Sequence, residues 1–253
     1  MNWLTSIIRF LYPYGAVRRV WRGPVKAMRF EVVNGMGATY ALGIDVGDMR
    51  HLGARIVPGM VVYDIGANCG QMMLFFSQQT GVEGRVFCFE PVPENHERLV
   101  RNIRLNQLCN VETFQTALGS EDAPQAFIFD AARHTMGTFP DAMVKLKDHA
   151  ATLTVPCTKL DTWAAGRPGP SVLKIDVEGA GLEVIEGAIE VIGQHRPGIF
   201  FEVHALNADA AELRALDMLR QRWGYKTLDL SGTLNGGYGP HWRAAVWCEP
   251  PAR

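Results

Sequence analysis

The run Val61-Val62-Tyr63-Asp64-Ile65-Gly66-Ala67-Asn68-Cys69-Gly70 constrains the fold more than any other stretch of this 253-residue chain. An apolar strand passes an acid, enters a glycine loop, and gives way to a helical pattern opening at Gln71. Without a Cβ, Gly66 and Gly70 can take positive φ and let a ligand approach the backbone, while the following helix points free N–H groups at it. Twenty residues beyond Gly70 a second apolar strand, Val86 to Phe89, ends at Glu90. A carboxylate there can accept hydrogen bonds from both ribose hydroxyls of an adenosine, so two neighbouring strand ends would cradle one nucleoside.

The loop reads D-x-G-A-N-x-G, not the G-x-G-x-x-G of dinucleotide sites, and Asp64 stands at its mouth. A pyrophosphate would be repelled by that acid, whereas the ammonium and sulfonium of S-adenosylmethionine would be favoured by it. The expected cofactor is therefore S-adenosylmethionine, held by Asp64, Gly66, Ala67, Asn68, Gly70 and Glu90. A strand-turn-helix whose glycines serve only packing is the plainer reading, and Glu90 at the right spacing argues against it.

From Met60 onward, strand-like runs beginning at Val61, Arg85, Val111, Val172 and Ile199 alternate with helical patterns, which predicts a parallel α/β sheet covered on both faces. Pro93 to Leu108 reads as an amphipathic helix with Leu99 and Ile103 inward and Arg98, Arg101 and Arg104 toward solvent. Leu182, Ile185, Ile189 and Ile192 repeat that pattern, and Ala208 to Trp223 forms a further helix. Met72, Met73, Phe75 and Phe76 read as helix core. Tyr225 to Leu230 and Ala244 to Trp247 read as a closing antiparallel hairpin around a Gly-rich loop. Arg133 to Ala151 is the least patterned stretch of this half and has the character of a lid. Residues 1–57 read as an N-terminal helix and β-hairpin extension, and 58–253 as the catalytic domain.

With 47% hydrophobic and 20% charged residues the chain can bury one substantial core. A net charge of −1 gives no electrostatic case for a nucleic-acid partner. The five cysteines are dispersed, without a C-x-x-C pair, and read as reduced cytoplasmic thiols. Residues 1–11 are too short an apolar run to span a bilayer and are broken by Arg9. With Arg18, Arg19 and Arg22 close behind, residues 1–22 could lie on an anionic membrane surface, but docking on the protein's own core is the expectation.

A second motif, Val172-Leu173-Lys174-Ile175-Asp176-Val177-Glu178-Gly179-Ala180, completes a pattern with Asp64 to Gly70, Phe89-Glu90-Pro91, Ala117-Leu118-Gly119, Leu160-Asp161 and Pro197 to Glu202. Together these resemble the FkbM-type methyltransferases over most of the chain. The resemblance implies a class I methyltransferase Rossmann-like sheet of seven strands, S-adenosylmethionine as methyl donor, and a small-molecule or glycan hydroxyl as acceptor. It also implies that Pro91 shapes the turn beside Glu90 and that Ala117 touches adenine. One departure is Gly181, which stands where such sequences commonly carry an acid.

An aliphatic hydroxyl needs a nearby carboxylate or imidazole to accept its proton, and Asp176, Glu178 and His204 are the candidate catalytic residues. Asp176 is the first choice for the base and also a candidate cofactor contact. His134, Thr135, Thr138, Tyr238 and His241 are candidate acceptor contacts. Asp176, Glu178 and Glu202 could offer oxygen ligands to magnesium, but the spacing is not diagnostic and no metal is assigned. The alternatives are a methyltransferase-like protein that binds the cofactor without transfer, with Gly181 as a sign of eroded chemistry, and a Rossmann NAD(P) oxidoreductase. Oligomeric state is not legible.

Overall fold

A computed structural model describes residues 10–33, 47–130, 137–138, 150–204, 211–231 and 244–252. A hairpin of β1 (Val17–Arg19) and β2 (Arg29–Glu31) is followed by α1 (Gly47–Gly53). Then come β3 (Val61–Ile65), α2 (Gln71–Thr80), β4 (Arg85–Phe89), α3 (Pro93–Asn106), β5 (Val111–Phe114) and β6 (Ala117–Leu118). Strands β7 (Gln125–Asp130), β8 (Gly137–Thr138) and β9 (Ala150–Val155) make a small antiparallel sheet ahead of β10 (Cys157–Thr158) and α4 (Leu160–Ala164). The chain closes with β11 (Val172–Ile175), α5 (Gly181–Glu186), α6 (Ile189–His195), β12 (Gly198–Val203), α7 (Ala211–Trp223), β13 (Lys226–Asp229) and β14 (Ala244–Glu249).

Seven strands form the central sheet in the order β13-β14-β12-β11-β3-β4-β5. Strands β12, β11, β3, β4 and β5 pair in parallel, and β14 runs antiparallel to both β12 and β13. The central strands carry near-continuous apolar runs because both faces are covered. Tyr63 and Ile65 enter one buried cluster, and Val62 enters the other. The chain runs outward from β3 to β4 and β5, then crosses back to place β11 on the other side of β3. The sheet therefore changes direction between β3 and β11, where a crevice opens at the strand ends.

Three features depart from expectation. The pattern Leu182 to Ile192 is two helices, because Asp161 caps the second from outside, its carboxylate accepting the N–H groups of Glu190 at 3.0 Å and Val191 at 2.9 Å. Gly187 lies at the break, where a Cβ would come 2.0 Å from the Gly119 carbonyl oxygen. Arg98 is buried, because the N-terminal hairpin covers that side of α3 and brings Glu31 to 3.8 Å from it. The stretch expected to be unpatterned contributes two strands, β8 and the start of β9. His134, Thr135, Tyr238 and His241 lie outside the described residues, as do residues 1–9 and 34–46 of the N-terminal extension and the side chain of Thr138.

Candidate functional site

A cleft opens at the sheet's switch point, with about 620 Å³ of space between its atoms, open solvent at the mouth included. Gly66, Asn68, Glu90, Pro91, Ala117, Asp176 and Glu178 line it, as the sequence suggested. Asn95, Thr116 and Phe127 also line it and were not foreseen. Phe127 comes from the small sheet, whose packing over the cleft no local pattern announces.

The glycine loop is built from the backbone outward. Gly66 has φ 77°, and a Cβ there would lie 1.9 Å from the main-chain oxygen of Asp176. Its requirement is therefore the close approach of the β11 end, which seals the floor of the cleft. The N–H groups of Gly66 and Ala67 both donate to the Phe89 carbonyl at 3.0 Å, so β3 and β4 stay joined past their ends. Gly70, at φ 92°, caps α2, and a Cβ there would strike Leu99 and Met73. Ala67 and Gly70 lie outside the lining and shape the loop that carries Asn68.

Glu90 joins that loop to the next element. One of its oxygens accepts the Asn68 N–H at 2.9 Å, and the other accepts the Val92 N–H at 3.0 Å and Asn95 Nδ2 at 3.4 Å. Burial pushes its carboxyl up to about 7, while the hydrogen bonds from Val92, Asn68 and Asn95 pull the other way. A half-neutral carboxyl in a cleft is an acceptor that gains from further donors.

Asp64 is placed differently from expectation. Its carboxylate is wholly buried beneath the loop and pairs with Lys174 Nζ at 3.1 Å, so it does not face the cleft. The register that sets Lys174 opposite Asp64 across the parallel strands produces this pair. Lys174 also donates to the Gly66 carbonyl at 2.7 Å and lies 3.5 Å from Asp176. One buried ammonium thus holds the β3 end, the loop and the β11 end. The K-x-D spacing, which puts Lys174 and Asp176 on the same side of the chain, was the available signal for it.

Beyond Asp176 the cleft turns acidic. His204 Nε2 lies 3.6 Å from Asp176, 3.6 Å from Glu178 and 3.8 Å from Glu202. Its other nitrogen, Nδ1, is 3.7 Å from the buried Glu212 on α7. Glu212 accepts the Gly179 N–H at 2.9 Å and also the His204 main-chain N–H, tying the β11 loop to the β12 end. Burial alone would lower the imidazole's proton affinity. Glu212, Glu178 and Asp176 overcome that and raise it to about 10, so His204 is an imidazolium at neutral pH. Glu178 itself has φ 51°, a conformation uncommon for a residue with a side chain.

Asp176, Glu202 and His204 bring ligand atoms within 4.8 Å of one another, a spacing a divalent cation could use. The imidazolium already accounts for the crowding of carboxylates, and no metal is assigned. At Gly181 a Cβ would lie 2.3 Å from the Phe201 ring, so this chain has no room for an acid there. Glu212 instead brings a carboxylate to the same loop from α7. Sequence reasoning missed it because it reaches back 33 residues to Gly179.

Known proteins resemble this chain in sequence family and in fold. The model of the Methyltransferase FkbM domain matches residues 64–227. A protein called Methyltransferase 1 from Beauveria bassiana (strain ARSEF 2860) is 25% identical over 143 residues, which is 50% of this chain and 57% of that protein. The chain thus spans little more than half the length of this relative. Among solved structures, a putative rRNA-methylase from Clostridium thermocellum superposes with a TM-score of 0.53 at 11% identity, covering 81% of this chain and 94% of that one. A methyltransferase FkbM from Methylobacillus flagellatus KT gives a TM-score of 0.51 at 14% identity, covering 84% and 53%. These structural likenesses speak to fold alone, whereas the family match extends over the glycine loop, Glu90, Asp176 and His204. The chain belongs to the FkbM family of S-adenosylmethionine-dependent methyltransferases.

Proposed function

We propose that this protein transfers the methyl group of S-adenosylmethionine to a hydroxyl oxygen of a sugar, glycan or other polyhydroxylated small molecule. Asn68, Glu90, Pro91 and Ala117 hold the adenosyl part, with Glu90 accepting from the ribose hydroxyls. The acceptor oxygen attacks the methyl carbon in line with the C–S bond. That bond's electron pair stays on sulfur as S-adenosylhomocysteine leaves, and the hydroxyl proton passes to Asp176. Holding the two reactants in line can supply up to roughly 7–11 kcal/mol of the barrier reduction.

The observation that carries this reading is Asp176 itself. It lines the cofactor cleft and meets Lys174 with one oxygen and His204 with the other, which fixes its orientation. His204, already protonated, positions Asp176 and does not serve as the base. The carboxylates around it suit a neutral, hydrogen-bond-donating acceptor and oppose a phosphate backbone. This favours a hydroxylated small molecule over RNA, although one structural neighbour is described as a putative rRNA-methylase.

Transfer of labelled methyl to a panel of sugars, glycans and phenols is the direct test. Asp176→Asn is expected to keep S-adenosylhomocysteine binding and to lose about 100-fold or more in turnover. With Asp176 as base, kcat is expected not to track the deprotonation of His204. A log-linear rise toward pH 10 would assign the base to His204 instead.

A further inference from the structure

We propose that the N-terminal hairpin is a docking surface for an anionic phospholipid bilayer. Residues 1–30 contain six basic residues, Arg9, Arg18, Arg19, Arg22, Lys26 and Arg29, and no acid, so this segment carries +6 while the remainder of the chain carries −7. Such a division of charge in a nearly neutral protein gives one end a field of its own.

The apolar surface has the same location. Of the eight large hydrophobic residues exposed among the described residues, Phe10, Leu11, Tyr14, Val17 and Trp21 fall within twelve consecutive positions. Phe10 is 83% exposed and Trp21 is 66% exposed, so neither of these two side chains is packed into the core. Arg19, Arg22, Lys26 and Arg29 are exposed alongside them. The register sets Arg19 opposite Arg29 across β1 and β2, a like-charge pair that costs stability unless an anion lies against it.

Large apolar side chains interleaved with exposed cations are what an interfacial segment presents to a bilayer. The rings and the leucine enter the headgroup boundary and the guanidinium groups meet lipid phosphates. An RNA would use the same cations but would gain little from Leu11 and Val17, which offer no face for a base to stack on. The hairpin is also firmly seated on the domain. Glu31 pairs with Arg101 at 2.7 Å, Asn102 accepts the Glu31 N–H at 2.9 Å, and Tyr14 donates to Glu94 at 3.2 Å. Glu94 adjoins Asn95, which lines the cleft, so the hairpin is anchored beside the residue that walls it.

The test is cosedimentation of the full chain with vesicles of three-to-one phosphatidylcholine and phosphatidylglycerol, beside vesicles of phosphatidylcholine alone, at low and high salt. Uptake by the anionic vesicles, weakened at high salt, is expected. The triple variant Arg19→Glu, Arg22→Glu, Lys26→Glu should lower the partition coefficient by about tenfold or more. The pair Phe10→Ser and Trp21→Ser should lower it with the salt dependence kept. Unchanged thermal melting would show both variants folded. No uptake by anionic vesicles, equal uptake by neutral ones, or full retention by the folded triple variant overturns the proposal. Retention of the protein by polyuridylate without vesicle uptake overturns it in favour of RNA.

Discussion

At the scale of single residues, Glu90 is where the glycine loop and the proposed ribose contact meet. Its oxygens already fix Asn68 and Val92, so replacing it removes a support of the loop together with the proposed contact. Glu90→Ala is expected to weaken S-adenosylhomocysteine binding by roughly 1–3 kcal/mol. Because ribose donors favour the ionised carboxylate, wild-type affinity should rise with pH through about 7 and then level off. Glu90→Gln should flatten that profile in a titration series, and an unaltered profile would remove Glu90 from ribose recognition. Gly66→Ala should abolish binding and destabilise the fold, since its methyl group would collide with the end of β11. The sequence pointed correctly to a glycine at 66, but the partner it approaches is the protein's own backbone. Chain pattern cannot distinguish a close neighbour across the sheet from a close ligand.

Among the elements, β3 and β11 carry the site because their register pairs Asp64 with Lys174 beneath the loop. Removing one partner of a buried ion pair strands the other. Lys174→Met is therefore expected to cost about 3–5 kcal/mol in urea unfolding. The double change Asp64→Asn with Lys174→Met should recover part of that loss, and a double-variant loss equal to the sum of the two single losses would show that the pair is not coupled. The five parallel strands were legible in the sequence, four as mainly apolar runs ended by glycine, an acid or a turn and β5 as a short β-prone stretch, Val111-Glu112-Thr113-Phe114. Helix α3 was legible too, but its burial was not. Arg98 and Asn102 face a hairpin about 70 residues earlier in the chain, and local periodicity carries no information about such a partner. Asp161 divides α5 from α6 across a shorter gap, and its i to i+29 contact left no trace in the hydrophobic pattern.

For the molecule as a whole, the hairpin, α1 and the sheet share one buried cluster that includes Phe30, Met49, Leu52, Phe75 and Phe200, so the N-terminal residues contribute to the central core. The acid-rich end of the cleft has a global consequence through linkage. His204 is raised from 6.5 to about 10, so its contribution to stability is complete below pH 6.5 and is lost as pH rises through 10. The difference in unfolding free energy between wild type and His204→Gln should shrink across that window by on the order of a few kcal/mol. A difference that stays constant or grows would contradict a charged imidazole. The fold class and most of the cleft lining were legible because strand ends and glycine spacing are local. The acidic end was legible only in part, since Glu212 arrives from a helix whose docking the sequence does not encode locally. The central claim is that Glu90 and the Gly66 loop form an adenosyl pocket, and calorimetric titration of the full chain with S-adenosylhomocysteine tests it most directly. The account predicts saturable one-site binding that is weakened in Glu90→Ala, and absence of heat from folded wild-type protein would contradict it.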